Sequence, residues 1–180
     1  MTALTDLIRS RRTIHTFLPD PPDVEVLKQA IEVACWAPNH KLTEPWRFHL
    51  LGAKKAAEIV QLNADLITAK KGAAAGDEKR RRWSEMPGWF VVSFRRDPDP
   101  FREEEDYAAC CCAVQNLALI LWEQGLGLKW TTGIVQQPAF LQLLELDASH
   151  RVVGLFWYGK PATIPQQSRR AVTEVIQEWA

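Results

Sequence analysis

An α+β layer structure, one sheet with helices packed around it, follows from three features of the sequence. Four short runs rich in β-branched and aromatic residues, WRFHLL from Trp46, WFVVSF from Trp89, LKWTTGIV from Leu128 and RVVGLFWYG from Arg151, read as strands. Between them lie amphipathic stretches of unequal length that read as helices, and no internal repeat is visible. The chain of 180 residues is long enough to bury a core without metals or disulfides, so residues 1–180 are expected to form one domain.

The elements can be taken in chain order. TALTDLIRSRR places Leu4, Leu7, Ile8 and Arg11 at helical spacing, and the pattern gives way at Thr13 to an extended TIHTF before the turn PDPP. Asp23 is placed to cap a second helix in which Val24, Leu27, Ile31 and Ala34 share one face, until Pro38 stops it. Trp46 to Leu51 reads as the first core strand. A helical pattern runs from Ala53 to about Lys71, and the small and charged GAAAGDEKRRR within residues 72–88 reads as a mobile surface excursion. Trp89 to Phe94, bounded by Pro87-Gly88 and RRDPDP, reads as an interior strand. REEED opens a long helix with acidic residues that complement its dipole, and Gly125 ends it. LKWTTGIV is the third strand, QPAFLQLLEL a short helix, RVVGLFWYG the fourth strand, and the tail QQSRRAVTEVIQEWA follows Pro165.

Composition narrows the function. The 22 basic and 22 acidic residues cancel, so no global field draws nucleic acid or anionic membrane, and neither is an expected partner. The longest apolar run, AACCCAVQNLALILW, falls short of the ~20 residues of a membrane span and carries Gln115 and Asn116 in its middle. Cys110, Cys111 and Cys112 are consecutive, so on a helix they point about 100° apart and do not converge on a metal. With no CxxC pair and no secretory start, the chain reads as reduced and cytoplasmic.

Three stretches carry chemistry. Arg11, Arg12 and Thr13, with His15 beyond, put two guanidiniums and a hydroxyl at a helix-to-strand junction, a donor set suited to phosphate; the same arginines would also complement the dipole of a solvated helix end. In CWAPNHKLTEPWRF, Asn39, His40 and Lys41 offer donors and Trp36 and Trp46 planar surface, as a ligand loop or as an ordered loop with core tryptophans. GLGLKWTTG follows a helix and precedes a strand, the reverse of a dinucleotide fingerprint, so that motif is rejected. Its Trp130, Thr131, Thr132 and Gly133 present a planar face, hydroxyls and accessible backbone.

In this order, from about Leu4 to Gly159, the motifs resemble the nitroreductase family of FMN-dependent oxidoreductases, and most closely its small single-domain bacterial members. The likeness rests on Arg11-Arg12-Thr13, on Ala37 to Phe48, on the helix containing Gln115-Asn116-Leu117, on the GLG block with Trp130, and on VVGLFWYGKP. The resemblance implies a nitroreductase-like fold with a mostly antiparallel central sheet flanked by helices, in an intertwined homodimer with two FMN sites at the subunit interface. It implies hydride transfer from NADH or NADPH through FMN to a nitroaromatic, quinone or similar acceptor by a ping-pong cycle; a flavin-binding protein with a storage or sensory role is the alternative. Carried onto this chain, Arg11, Arg12 and Thr13 would hold the phosphate and ribityl chain. Trp130, Thr131, Thr132 and Gly133 would line the flavin, and Arg169 or Arg170 would add a phosphate contact. Trp36, Pro38, Asn39, His40 and Lys41 would serve the flavin of the other chain, with Lys41 a candidate for the flavin N1–C2 edge. No residue is nominated as a covalent nucleophile and no metal is expected. His15 and Glu44 depart from the family pattern, which has a basic residue and a glutamine there.

Overall fold

The computed structural model describes residues 3–179. Its framework is a four-stranded, wholly antiparallel sheet in the order β1-β2-β4-β3, formed by Arg47–Leu50 (β1), Gly88–Arg95 (β2), Gly127–Thr131 (β3) and His150–Gly159 (β4). Side chains alternate along a strand, so the two central strands supply two cores at once. Phe90, Val92 and Phe94 of β2 with Val153 and Phe156 of β4 meet Leu27, Ala30 and Ala34 on one side, whereas Trp89, Val91, Leu155 and Trp157 meet Ile59, Val60 and Phe140 on the other. Phe90 and Phe156, paired in register, stack with centroids 4.8 Å apart.

The helices are those the apolar spacing requires. Ala3–Ser10 (α1) is followed by the extended segment whose Thr13 bridges Leu128 of β3. Val24–Ala34 (α2) starts where the Asp23 carboxylate accepts the Glu25 amide at 2.9 Å. The long helix Pro100–Glu123 (α5) is capped by Asp99 and ends before Gly125, which takes φ +75 as a left-handed terminus demands. Along it Cys110 is buried, Cys111 half-buried and Cys112 exposed, the divergence expected of consecutive helical positions. Burial pushes the Cys110 thiol up to about 12, so it is an inert core residue. Among the described residues no cluster could hold a metal ion, and no helix is long and apolar enough to cross a membrane.

Two expectations are corrected. The stretch within residues 72–88 is ordered helix, not a mobile excursion: Ala53–Lys71 (α3) turns at Gly72, φ +90, into Ala73–Ser84 (α4), which packs back along α3. The small residues are what let the two helices close, since a Cβ at Gly76 would fall on Thr68 Oγ1 and 2.9 Å from the Ala64 carbonyl. The charges that suggested solvation pair within the helix, Arg81 with Glu78 and Glu85, Arg80 with Asp77. Trp83 then packs edge-on against Trp89 and Trp157. Second, β1 is an edge strand and not a core one; Trp46 just before it is buried, whereas Arg47 and Leu50 are exposed. The short helix Pro138–Leu143 (α6) falls where Gln137-Pro138 predicts it.

Candidate functional site

Arg11, Arg12 and Arg169 gather at a cleft of about 230 Å³ beside the end of α1, with Gln167 at its rim. Residues separated by more than 150 positions meet here because the segment after β4 runs back beside residues 16–18: Leu18 N–H donates to the Lys160 carbonyl, Ala162 N–H to the Thr16 carbonyl, and Thr16 and Thr163 hydroxyls pair at 2.6 Å. Among the described residues no carboxylate lies within ion-pair distance of these three arginines. Burial, and then the charges of Arg169 and Arg12, pull the Arg11 guanidinium below its ordinary value. Three forked cations that repel one another, with no counter-charge among the described residues, are a donor set that an anion would satisfy. Arg12 is braced by donating to the Arg9 and Arg11 carbonyls.

Arg11 and Thr13 also line an adjoining cleft of about 160 Å³ with Gln115 and Trp130. Trp130 is tied down there: its Nε1–H donates to the Val153 carbonyl at 3.0 Å and its ring lies against Gly154 and Phe156. Thr131, Thr132 and Gly133 follow on the outer edge of the sheet, with open space around the Gly133 Cα.

On the other face of β3, His15 lines a pocket of about 130 Å³ with three cations that sequence reasoning passed over, Lys79 and Arg82 of α4 and Lys129 of β3. Burial lowers both His15 and Lys129, and the neighbouring positive charges lower them further: Lys129 and Arg82 act on His15, Arg82 and Lys79 on Lys129. Glu85 lines the pocket too, but it is paired with Arg81. Trp157 forms one wall under the Lys129 ammonium, 4.9 Å from its ring, and although only 2 % exposed its Nε1–H has no partner among the described residues. A buried donor left unmatched costs about 1–3 kcal/mol, so three cations, an uncharged imidazole and an orphan N–H together suit an electron-rich group. The only legible signal was His15; Lys79 and Arg82 lay in the stretch read as solvated.

The Asn39 loop stands apart from both clusters. Three of its non-glycine residues, Lys41, Leu42 and Glu44, have φ of 54, 52 and 42. Such backbone persists only where surroundings fix it. Here Thr43 Oγ1–H donates to the buried Asp106 of α5 at 2.7 Å, Asn39 Oδ1 accepts the Glu44 amide and Arg47 donates to the Glu44 carbonyl. The result holds Trp36, 86 % exposed, and Leu42, 80 % exposed, out into solvent, with Pro38, His40 and Lys41 exposed beside them. Asp106 anchors this loop, whereas Cys111, Val114, Gln115 and Ala118 floor the Arg11 cleft, so the two groups sit on α5 between 5 and 12 residues apart, about 8 to 18 Å along the helix. The chain brings Arg11, Arg12, Thr13, Trp130 and Arg169 together and places His15 on the opposite face of β3; it does not bring Trp36, Pro38, Asn39, His40 or Lys41 to them.

The Nitroreductase family model matches residues 8–160, which include the arginine pair, the Asn39 loop, α4 and the strands around His15. The chain belongs to the nitroreductase family. It is 30% identical over 174 residues to YfhC of Bacillus subtilis, whose name assigns it provisionally to the NAD(P)H nitroreductases; the match covers 94% of this chain and 90% of that one. Among solved structures, a nitroreductase-like family protein from Bacillus cereus superposes with a TM-score of 0.87 at 33% identity, covering 99% of this chain and 97% of the other. A protein from Desulfovibrio desulfuricans solved with FMN superposes at 0.81 with 24% identity, covering 100% and 98%, and so shares the fold. Nitroreductase members thus share this arrangement of an antiparallel sheet among helices.

Proposed function

We propose that the protein is an FMN-dependent oxidoreductase, taking hydride from NADH or NADPH and passing it, in a separate half-reaction at the same face, to a nitroaromatic, quinone or similar acceptor. The uncompensated Arg11–Arg12–Arg169 cluster is the observation that carries this reading. Family membership supports it, as do the FMN named in the Desulfovibrio structure and the nicotinamide dependence in the name of the Bacillus relative.

The residues present fit the cofactor. Arg11, Arg12 and Arg169 would hold the phosphate, and Thr13 with Gln115 the chain beyond it. From Arg11 to His15 the extended segment covers about 13 Å, enough to carry a ligand from the phosphate cleft to the cation pocket. Bound there, FMN supplies the redox chemistry. His15, Lys79, Arg82 and Lys129 would stabilise negative charge on the ring edge, and in this role they replace Lys41, which lies elsewhere. Thr131, Thr132 and Gly133 would offer hydroxyls and open backbone to the ring.

The Asn39 loop belongs in this account as the contribution of a second copy. Trp36, Pro38, Asn39, His40 and Lys41 belong to a loop tied to Asp106 through Thr43, and none of them lines the same chain's Arg11 clefts. An antiparallel homodimer would bring each loop to the partner's cation pocket. Exposed apolar residues of the tail, Val172, Val175, Ile176 and Trp179, give such a dimer further surface to bury.

The visible spectrum of purified protein, recorded before and after anaerobic NADPH or NADH and again after nitrobenzene, tests the reading. Oxidised-flavin absorbance that bleaches with the nicotinamide and returns with the acceptor supports it. Flavin that stays oxidised with both nicotinamides would favour a storage or sensory role, and a protein that takes up no FMN would overturn both.

A further inference from the structure

The pocket around His15 has a floor and a mouth. Trp157, 2 % exposed, and the half-buried Lys129 form the floor; Lys79 and Arg82, one helical turn apart on α4, stand at the mouth, where Arg82 is exposed. At about 130 Å³ the space admits one edge of a tricyclic ring, and the rest of a ring held there extends past Lys79 and Arg82.

These charges are not balanced. Among the described residues no carboxylate lies within ion-pair distance of Lys79, Arg82 or Lys129. The acidic residues of α4 and its cap are engaged elsewhere, Glu78 and Glu85 with Arg81 and Asp77 with Arg80. Lys79 is steadied 5.8 Å from the Trp83 ring and Lys129 4.9 Å from the Trp157 ring, contacts that place the ammonium groups without neutralising them.

Cofactor binding would leave this imbalance in place. A phosphate monoester, with a charge of about −2, offsets most of the Arg11–Arg12–Arg169 cluster. The oxidised flavin ring has no formal charge and offsets none of the three cations beside His15. Lys129 and the orphan Trp157 Nε1–H, on the floor, face the ring edge, which leaves Arg82 and Lys79 at the mouth for a second ligand.

Resting on the FMN reading above, we propose that Arg82, assisted by Lys79, sets acceptor specificity: the acceptor is an aromatic molecule that carries a carboxylate, its ring stacked on the flavin and its carboxylate met by the Arg82 guanidinium at the pocket mouth. A planar guanidinium offers two parallel N–H donors that match a carboxylate, which an ammonium does not. Cations within a Debye length, about 8 Å at physiological salt, draw in an anion and disfavour a cation. Reduced nicotinamide dinucleotides are anions too, so one field serves both half-reactions.

The test titrates the full-length protein, saturated with FMN, with three probes of similar shape that have no nitro group, benzoate, benzamide and benzamidinium, and follows the visible flavin spectrum. Benzoate should bind about tenfold more tightly than benzamide at about 0.01 M salt, with benzamidinium weakest, and the preference should collapse at about 1 M salt. Arg82→Met should bring benzoate to within about twofold of benzamide, and Lys79→Met should weaken the preference several-fold. Arg95→Met removes the same charge at the far end of β2, about 20 Å from Trp89, and should leave the preference unchanged. The Lys79→Met and salt arms read the preference with Arg82 in place. No saturable benzoate effect, equal affinities for benzoate and benzamide in the unaltered protein, or a preference that survives Arg82→Met or disappears with Arg95→Met would overturn the proposal. Failure of the cofactor reading shows separately, as protein that takes up no flavin or whose flavin no nicotinamide bleaches; flavin that bleaches normally in a protein indifferent to probe charge sinks the acceptor assignment alone.

Discussion

Arg11 sits where three guanidiniums face one another with no carboxylate among the described residues in ion-pair reach, a repulsion that a bound anion would relieve. Replacing it with Ala therefore removes an FMN phosphate partner while relieving apo-protein strain: FMN affinity measured by flavin-fluorescence titration should fall about 10- to 100-fold, with the melting temperature of the apo-protein unchanged or slightly higher. Histidines give the pH dependence. His49 is lowered by burial first and then by His150 and Arg47, and His15 by burial, Lys129 and Arg82. A histidine lowered in the folded state binds fewer protons there than in the unfolded chain, across the window beneath its ordinary value of about 6.5. Stability should rise with pH through that window and be lost as pH falls through it. Thermal melts of the apo-protein between pH 5 and 8 should show this, and His49→Gln, which keeps a partner for Ser93 Oγ at the 2.7 Å contact, should flatten the dependence.

The element on which most depends is α4, because it carries Lys79 and Arg82 to the His15 pocket and Trp83 to the second core. Its seat against α3 has no room at Gly76, so Gly76→Ala should destabilise the protein by about 1–3 kcal/mol in chemical denaturation and loosen the cation pocket with it. This helix was also the least legible part of the sequence. GAAAGDEKRRR lacks an apolar stripe, and its helical character rests on small residues closing against Thr68 and on i,i+3 and i,i+4 charge pairs, which become visible only once α3 lies alongside. Strands announced themselves through β-branched and aromatic runs, and α2 and α5 through caps and apolar spacing. Edge position did not, since WRFHLL is as apolar as a central strand and only pairing order separates the two. The arginine pair was readable as a phosphate motif, whereas Lys129 and Trp157 lay inside strand patterns and gave no local sign of facing His15.

At the scale of the whole molecule, a single chain anchors the Asn39 loop and the Arg11 cleft about 8 to 18 Å apart along α5 and holds Trp36, Leu42 and Trp179 in water. Two-fold pairing, as proposed above, would account for both facts. Light scattering should give twice the 20.5 kDa chain mass at micromolar concentration, and removal of residues 171–180 should shift that equilibrium towards single chains. The central claim, one FMN site built from the arginines of one chain and the loop of another, is tested most directly by mixing two defective proteins. Arg11→Ala and a Trp36→Ala/Asn39→Ala double variant are each prepared, unfolded together in equal amounts, refolded, and assayed for bound flavin. In a shared site the mixed dimer pairs an intact arginine cluster with an intact loop once, so about one site in four should bind FMN although neither parent does. No flavin in the mixture, with dimers formed as usual, would contradict the account and return both groups to the same chain's site.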